Sequence, residues 1–139
     1  MPPKKTLNKL HTPWANLPQD FRPEDWAGFT YLITEISSGR MYIGKKIFWS
    51  KRRLKVKGKS RRKRVVLESD WRTYKSSNKE LQALIKKNGL EGFAFEIIGL
   101  HKTRADMNYA ETKELFSRGV LESDLYMNGN ILGRYFKKT

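Results

Sequence analysis

The sequence predicts one small α/β domain, in which a three-stranded mixed or antiparallel sheet is flanked by helices and carries an inserted basic β-ribbon. The chain has 139 residues, enough for one domain with a hydrophobic core and too few for two full domains. Residues 30–46 show the pattern of a β-hairpin. A compact apolar run at 93–100, typical of a buried strand, lies between two helical patterns.

The hairpin consists of two apolar runs that each carry a tyrosine. Side chains alternate from Tyr31 to Glu35, a turn of Ser-Ser-Gly falls at 37–39, and the chain returns through the tripeptide Tyr42-Ile43-Gly44. Aromatic and β-branched residues are ordinary in paired strands. The hairpin alone therefore predicts no function.

Residues 1–28 are expected to form an N-terminal arm, and residues 29–136 the domain, with the ribbon inserted at about 47–67. The arm contains all 5 prolines of the chain and shows little periodicity. Three of its aromatic residues are expected to pack on the domain: Trp14, Phe21 and Trp26.

A first helix of roughly three turns is predicted after residue 76. Ser77 and Glu80 match a capping box at its start, and Gly89 is a plausible C-cap. A shorter helical segment is expected just before it, at 70–74.

A second helix is predicted from the pair Thr103 and Asp106, which matches a helix start, to Gly119. A short strand or turn follows at 126–131. The order of elements is thus a hairpin, a ribbon, one or two helices, a strand, a helix and a tail.

Charge is concentrated in the ribbon. Residues 45–64 hold 12 of the 29 Lys and Arg residues and none of the 14 acids, so the other 119 residues carry 17 cations against 14 acids. A local basic strip with interleaved aromatic residues predicts a nucleic-acid partner. A solvated basic surface and anionic lipid are the alternatives, but the strip lacks the amphipathic helical pattern of a membrane-surface segment. The expected nucleic-acid-binding cations are Lys45, Lys51, Arg52, Arg53, Lys55, Lys57, Lys59, Arg61, Arg62, Lys63 and Arg64.

Composition excludes several other classes. The chain has 0 cysteines and 2 histidines, which excludes disulfides, thiolate metal sites and histidine-rich zinc sites. Its apolar runs are far shorter than the ~20 residues that span a bilayer, and the N-terminus has no apolar stretch typical of a secretory signal. We therefore expect no membrane partner and a cytoplasmic location.

The two tyrosine runs lead to a family resemblance. Phe29-Thr30-Tyr31 and Tyr42-Ile43-Gly44 place their tyrosines with ten residues between them. The chain resembles the GIY-YIG endonuclease family over roughly residues 29–131, because a Trp/Arg/Tyr segment, Ser-Ser, a helix, a strand, a glutamate-bearing helix and an asparagine follow in the family's order. The first tripeptide departs from the family pattern at two positions and keeps the tyrosine. The second is intact.

The resemblance implies a catalytic set with one glutamate as the only protein ligand of Mg²⁺ or Mn²⁺. A single-carboxylate site is reasonable because Mg²⁺ keeps several waters and takes ligands from phosphate. The implied catalytic residues are Tyr31, Tyr42, Arg72, Glu111 and Asn128, with possible support from Lys46, Tyr74 and Asn130.

Alternatives remain for three of these positions. Glu111 falls on a half-apolar stripe, and Glu114 competes with it one turn along. The position expected for the arginine holds Asp70, so Arg72 is the nearest substitute, with Lys46 and Arg52 as further possibilities. Asn128 and Asn130 both qualify as the polar residue near the end, although an Asn-Gly turn explains Asn128 equally well.

The predicted function is a metal-dependent DNA endonuclease in which a tyrosine assists the attack of water on a phosphodiester. The resemblance implies that the substrate is double-stranded DNA, with no small-molecule substrate, and that the chain is a compact phage-type or homing endonuclease, in a bacterial host or encoded by a phage. The alternative is a non-catalytic basic nucleic-acid-binding protein. Glu111 discriminates between them, because a carboxylate beside the phosphate would only repel the ligand of a simple binding protein.

Overall fold

The structure is a computed structural model that describes residues 12–138. The strands are β1 (Gly28–Glu35), β2 (Met41–Ile47), β3 (Trp49–Leu54), β4 (Lys63–Glu68), β5 (Phe93–His101), β6 (Asn130–Ile131) and β7 (Tyr135–Phe136). The helices are α1 (Lys79–Asn88) and α2 (Arg104–Ser117), and short 3-10 turns lie at Pro23–Asp25, Leu90–Gly92 and Val120–Glu122.

Strands β1, β2 and β5 form a three-stranded sheet in the order β2-β1-β5, and both pairings are antiparallel. The predicted hairpin is confirmed as β1 and β2, and the predicted strand at 93–100 as β5. In the hairpin Tyr31 lies opposite Gly44 and Ile33 opposite Tyr42, so these residues share one face of the sheet. The predicted small α/β fold is confirmed, with a sheet that is wholly antiparallel.

The two helices cover opposite faces of this sheet. Leu81 and Ile85 of α1 belong to the larger hydrophobic cluster, which includes Tyr31 and Ile33 from β1. Leu115 of α2 belongs to the second cluster, built around Ile43 and the segment after the helix. Alternation along the strands therefore directs each residue of the hairpin toward one helix or the other.

The segment around Ala15 covers part of the sheet edge formed by β5. Ala15 pairs with Glu96 of β5 in parallel, through bonds from the Ala15 N–H to the Phe95 carbonyl (2.7 Å) and from the Ile97 N–H to the Ala15 carbonyl (3.1 Å). Trp14 is fully buried in the larger cluster, and Phe21 and Trp26 pack against it from the surface. Residues 1–11 of the expected arm lie outside the described part of the chain.

The basic ribbon consists of β3 and β4, paired antiparallel from Trp49 opposite Glu68 to Leu54 opposite Lys63. The connecting loop contains Gly58 in the left-handed region at φ +80°. Phe48, which precedes the ribbon, is buried in the core, whereas Leu54 on β3 is exposed. The ribbon therefore projects with solvent on both faces.

Two local expectations about the first helix are wrong. Residues 70–74 form successive turns, with bonds from the Thr73 N–H to the Asp70 carbonyl (3.1 Å) and from the Tyr74 N–H to the Trp71 carbonyl (3.3 Å). A helix cannot continue beyond them, because Ser76 has a left-handed φ of +83°.

The cap of α1 is Asn78 and not the pair Ser77 and Glu80, since the Asn78 side chain accepts the Leu81 N–H at 2.9 Å. The other caps are confirmed. Gly89 ends α1, and the Thr103 side chain accepts the Asp106 N–H at the start of α2. Within residues 12–138, neither helix has the length and apolarity that a membrane crossing requires.

Candidate active site

The glycine of the second tripeptide is required by the first tyrosine. Gly44 lies directly opposite Tyr31 across the hairpin. A Cβ atom at this position would overlap the phenol of Tyr31, so the ring lies across the bare backbone of β2. This close approach brings the Tyr31 hydroxyl toward the edge strand that also carries Tyr42.

Three tyrosines cluster on this face. The ring centroid of Tyr31 lies 6.3 Å from that of Tyr42 and 6.1 Å from that of Tyr74. Burial, with further contributions from Tyr74 and Tyr42, raises the pKa of Tyr31 well above its usual value. Burial also raises the pKa of Tyr42. Both groups are therefore neutral phenols at neutral pH, able to donate and accept hydrogen bonds.

Ser76 is a site residue that sequence reasoning missed. Its hydroxyl lies close enough to Tyr31 and Tyr42 to lower the pKa of each phenol, against the larger effect of burial. The same hydroxyl accepts the Asn78 N–H at 3.0 Å, which orients it. Ser76 is buried with a left-handed φ, a conformation that costs a non-glycine residue energy and is frequent at functional sites.

Lys46 brings a cation to the tyrosines. It follows Tyr42 and Gly44 at two-residue steps on β2, and its Nζ lies 4.1 Å from the centroid of the Tyr74 ring. Asp70 accepts from the same Nζ at 2.6 Å, and this hydrogen bond lowers the pKa of Asp70.

Glu111 projects from the middle of α2 toward the edge of the sheet. Its side chain is only 16% exposed, and Lys45 Nζ lies 3.6 Å from its Oε1. Burial raises the pKa of Glu111, against the opposing effect of Lys45. Tyr42 is close enough for the negative charge of Glu111 to contribute to the raised pKa of its phenol.

Glu111 and Tyr42 line one cavity of about 160 Å³ at the edge of β2. Asn78, Asn128 and Asn130 complete its polar wall. The competing carboxylate, Glu114, forms an ion pair with Arg118 at 2.6 Å. The cavity thus joins the tyrosine on one face of the sheet to the glutamate from the other.

The two asparagines have different contacts. Asn128 is buried, and its amide accepts the Ile43 N–H at 3.0 Å and donates to the Ile43 carbonyl at 2.8 Å. Asn130 is exposed and accepts the Gly133 N–H at 2.9 Å. Asn128 therefore holds the backbone of the second tripeptide from beyond the sheet edge.

Arg72 lies beside the base of the ribbon. Its Nε donates to Glu68 Oε2 at 2.9 Å, and its guanidinium lies 4.7 Å from the centroid of the Trp71 ring. Tyr74, two residues on, does join the tyrosine cluster. The spacing in the sequence could not predict that Tyr74 joins the cluster while Arg72 contacts Glu68 and Trp71.

The predicted nucleic-acid-binding cations form two groups. Lys45 lies in the site itself, where its Nζ contacts Glu111 and donates to Asn108 Oδ1 at 2.7 Å. The others are exposed on β3, on β4 and in the loop between them: Lys51, Arg52, Arg53, Lys55, Lys57, Lys59, Arg61, Arg62, Lys63 and Arg64.

The cavity has the donor chemistry of a hard cation site. In the part of the chain that the structure describes, no group of three or more His, Cys, Asp or Glu side chains is arranged to hold a metal ion. One half-buried carboxylate among amide and phenol oxygens is compatible with Mg²⁺, which accepts few protein ligands and keeps water. The residues present fit a divalent ion bound through Glu111.

The antiparallel three-stranded sheet thus presents paired tyrosines over a glycine, with a glutamate from helix α2, in the arrangement that the resemblance to GIY-YIG nucleases implies. Residues 13–131 match the family model SegE_GIY-YIG, described as "Putative endonuclease segE, GIY-YIG domain", and the chain belongs to the GIY-YIG endonuclease family. It is thus a phosphodiester hydrolase that acts on nucleic acid, in a family that generally uses divalent metal ions. No curated protein and no solved structure matches the chain significantly.

Proposed function

We propose that the chain is a Mg²⁺- or Mn²⁺-dependent endonuclease that cleaves double-stranded DNA. The observation that carries this proposal is the cavity shared by Tyr42 and Glu111. Burial raises the pKa of Glu111 while Lys45 compensates only in part, so the carboxylate gains from a second cation. A protein that only bound nucleic acid would have no use for this carboxylate, which leaves the non-catalytic alternative without support.

The site residues divide the work of hydrolysis. Glu111 would hold the ion, which when bound supplies charge stabilisation to the reacting phosphate. Tyr42, which lines the cavity, orients the attacking water as a neutral phenol, and the buried Tyr31 and Ser76 support it from behind. Because both tyrosine pKa values are raised, a tyrosine takes the proton of water only after it has lost its own proton, and nearby cations favour that phenolate form.

The ribbon supplies affinity for DNA. Its cations are exposed on both faces of a two-stranded structure, without acids in the segment from 45 to 64. Such a ribbon is narrow enough to follow a phosphate backbone or to enter the major groove, which is about 12 Å wide. Affinity from phosphate contacts is insensitive to sequence, so the ribbon gives the nuclease a general hold on duplex DNA.

A single nuclease domain that carries its own DNA-binding ribbon suits a compact phage-type or homing endonuclease. The proposed site of action is the cytoplasm of a bacterial host, where its DNA substrate is found. The ribbon follows directly from the strand that carries Tyr42, since β2 ends at Ile47 and β3 begins at Trp49.

The test is cleavage of supercoiled plasmid by purified protein with Mg²⁺, with Mn²⁺ and with EDTA. Cutting should require the metal, and Glu111→Ala should abolish cutting while DNA binding persists. Glu114→Ala is the matched control, one turn along the same helix, and should cut normally because Glu114 is paired with Arg118. Cleavage in EDTA, or a fully active Glu111→Ala protein, would refute the proposal.

A further inference from the structure

The family resemblance implies an arginine at the position that holds Asp70 in this chain. Another basic residue must therefore contact the reacting phosphate. Lys46 is the cation whose geometry fits. Its Nζ lies against the Tyr74 ring, and Tyr74 contacts Tyr31. Lys46 also shares the face of β2 that carries Tyr42.

The neighbouring cations have other orientations. The side chain of Lys45 lies on the opposite face of β2, because successive strand residues point to opposite faces, and it contacts Glu111. Arg72 contacts Glu68 and the Trp71 ring at the base of the ribbon. Arg52 lies on the ribbon, close enough to Asp70 to contribute to its lowered pKa. Lys46 contacts the tyrosine cluster directly, through the ring of Tyr74.

Asp70 stands between Lys46 and solvent. The Asp70 side chain is 68% exposed, whereas that of Lys46 is 18% exposed, and their charged groups are 2.6 Å apart. A phosphate approaching Lys46 from solvent therefore meets the carboxylate first. The phosphate and the Asp70 carboxylate are both anions, so they compete for the single ammonium group of Lys46.

We propose that Lys46 is the residue that binds the reacting phosphate, and that Asp70 is a counter-ion which the phosphate displaces. The inference rests on the proposed function and deepens it. In the free protein Asp70 holds the Lys46 ammonium group over Tyr74, so the cation is already positioned beside the tyrosines. The carboxylate of this pair is exposed, and an ion pair with a solvent-exposed partner contributes little to stability, so its displacement costs little.

The test compares single-turnover cleavage and DNA affinity for variants of both residues. Lys46→Ala should slow cleavage by about 10²–10³-fold, the usual effect of losing one donor to transition-state charge. Because one phosphate contact is lost, the slope of log DNA affinity against log salt concentration should also become shallower by about 0.9. Lys46→Arg should restore most of the rate, because the charge returns.

Asp70→Asn should tighten DNA binding by about three- to tenfold, because a like charge leaves the phosphate site. The gain should shrink in the Lys46→Ala background, where no ammonium group is released. Glu80→Gln is the matched control, since it removes the acid of the exposed Arg40–Glu80 pair, and should change neither quantity.

The outcomes separate the two proposals. A wild-type protein that never cleaves DNA overturns the proposed function. A cleaving wild type whose Lys46→Ala variant is equally fast overturns only the Lys46 assignment, and a defective Arg72→Ala would then place the phosphate contact there. Unchanged affinity in Asp70→Asn overturns the counter-ion role. Asp70 is exposed, so that variant reports on the site without a folding defect.

Discussion

The side chain of Asn128 is hydrogen-bonded to both backbone groups of Ile43, at 3.0 Å and 2.8 Å. Ile43 is the central residue of the second tripeptide on the edge strand β2. The adjoining chain pairs with the same edge, since the Met41 N–H donates to the Leu125 carbonyl (2.6 Å) and the Met127 N–H to the Met41 carbonyl (2.7 Å). Asn128 thus completes a short parallel pairing and acts as a peptide group would.

Asn128→Ala should therefore destabilise the protein and displace Tyr42. The expected loss in the free energy of unfolding is about 1–3 kcal/mol, the cost of leaving buried backbone groups unpaired. Urea denaturation measures it. Asn130→Ala, from the same segment but exposed, is the control and should cost much less. Equal losses in the two variants would show that Asn128 is not a structural clamp.

Glu111→Gln should stabilise the metal-free protein while abolishing cleavage. The folded-state pKa of Glu111 lies above its usual value of 4.5, so the wild type loses stability as the pH rises from below that value through the folded-state pKa. The amide variant lacks this loss. Its melting temperature should exceed that of the wild type at pH 7 and converge with it at pH 3.

Addition of Mg²⁺ should make the wild type melt at a higher temperature than Glu111→Gln. Mg²⁺ at a hundredfold excess over its Kd stabilises a binding protein by about 2.7 kcal/mol. Thermal unfolding with and without Mg²⁺ should show this gain in the wild type and not in Glu111→Gln. A metal-induced shift of the same size in both proteins would place the ion elsewhere.

Two variants of Ser76 can distinguish the effect of its left-handed backbone on stability from the effect of its hydroxyl on cleavage. Ser76→Ala and Ser76→Gly both remove the hydroxyl that lies beside the tyrosines and lowers their pKa values, so both should slow cleavage similarly. Of the two replacements, glycine adopts the left-handed φ of this position without strain and alanine does not. Ser76→Gly should therefore be more stable than Ser76→Ala by about 1 kcal/mol. Chemical denaturation and single-turnover cleavage provide the two readouts. Wild-type rates in both variants would remove Ser76 from the site.

Replacing four ribbon cations by Ser should weaken DNA binding without affecting the metal site. The variant changes Lys51, Arg53, Lys55 and Lys57. If each contacts one phosphate, the log–log slope of affinity against salt should flatten by up to ~3.6. Titration of unrelated duplexes at several salt concentrations tests this, and the loss should be similar for all of them. An unchanged slope would mean that the ribbon does not contact DNA.

Local sequence patterns determined the elements of this fold. The alternation around residues 37–39 predicted β1 and β2, and Thr103 with Asp106 predicted the start of α2. These features depend on residues within one or two turns of each other, so the signal is complete in the sequence. The basic ribbon was equally visible, because 12 cations without an acid cannot be buried together.

Tertiary structure alone decided how the site is assembled. Asn128 binds Ile43 across 85 positions of chain, and Lys46 meets Asp70 only after the ribbon has returned to the sheet. The same long-range packing turned the expected helix at 70–74 into turns and gave Ser76 its left-handed backbone. No pattern of neighbouring residues carries such information, because the energy that selects these conformations comes from partners distant in sequence.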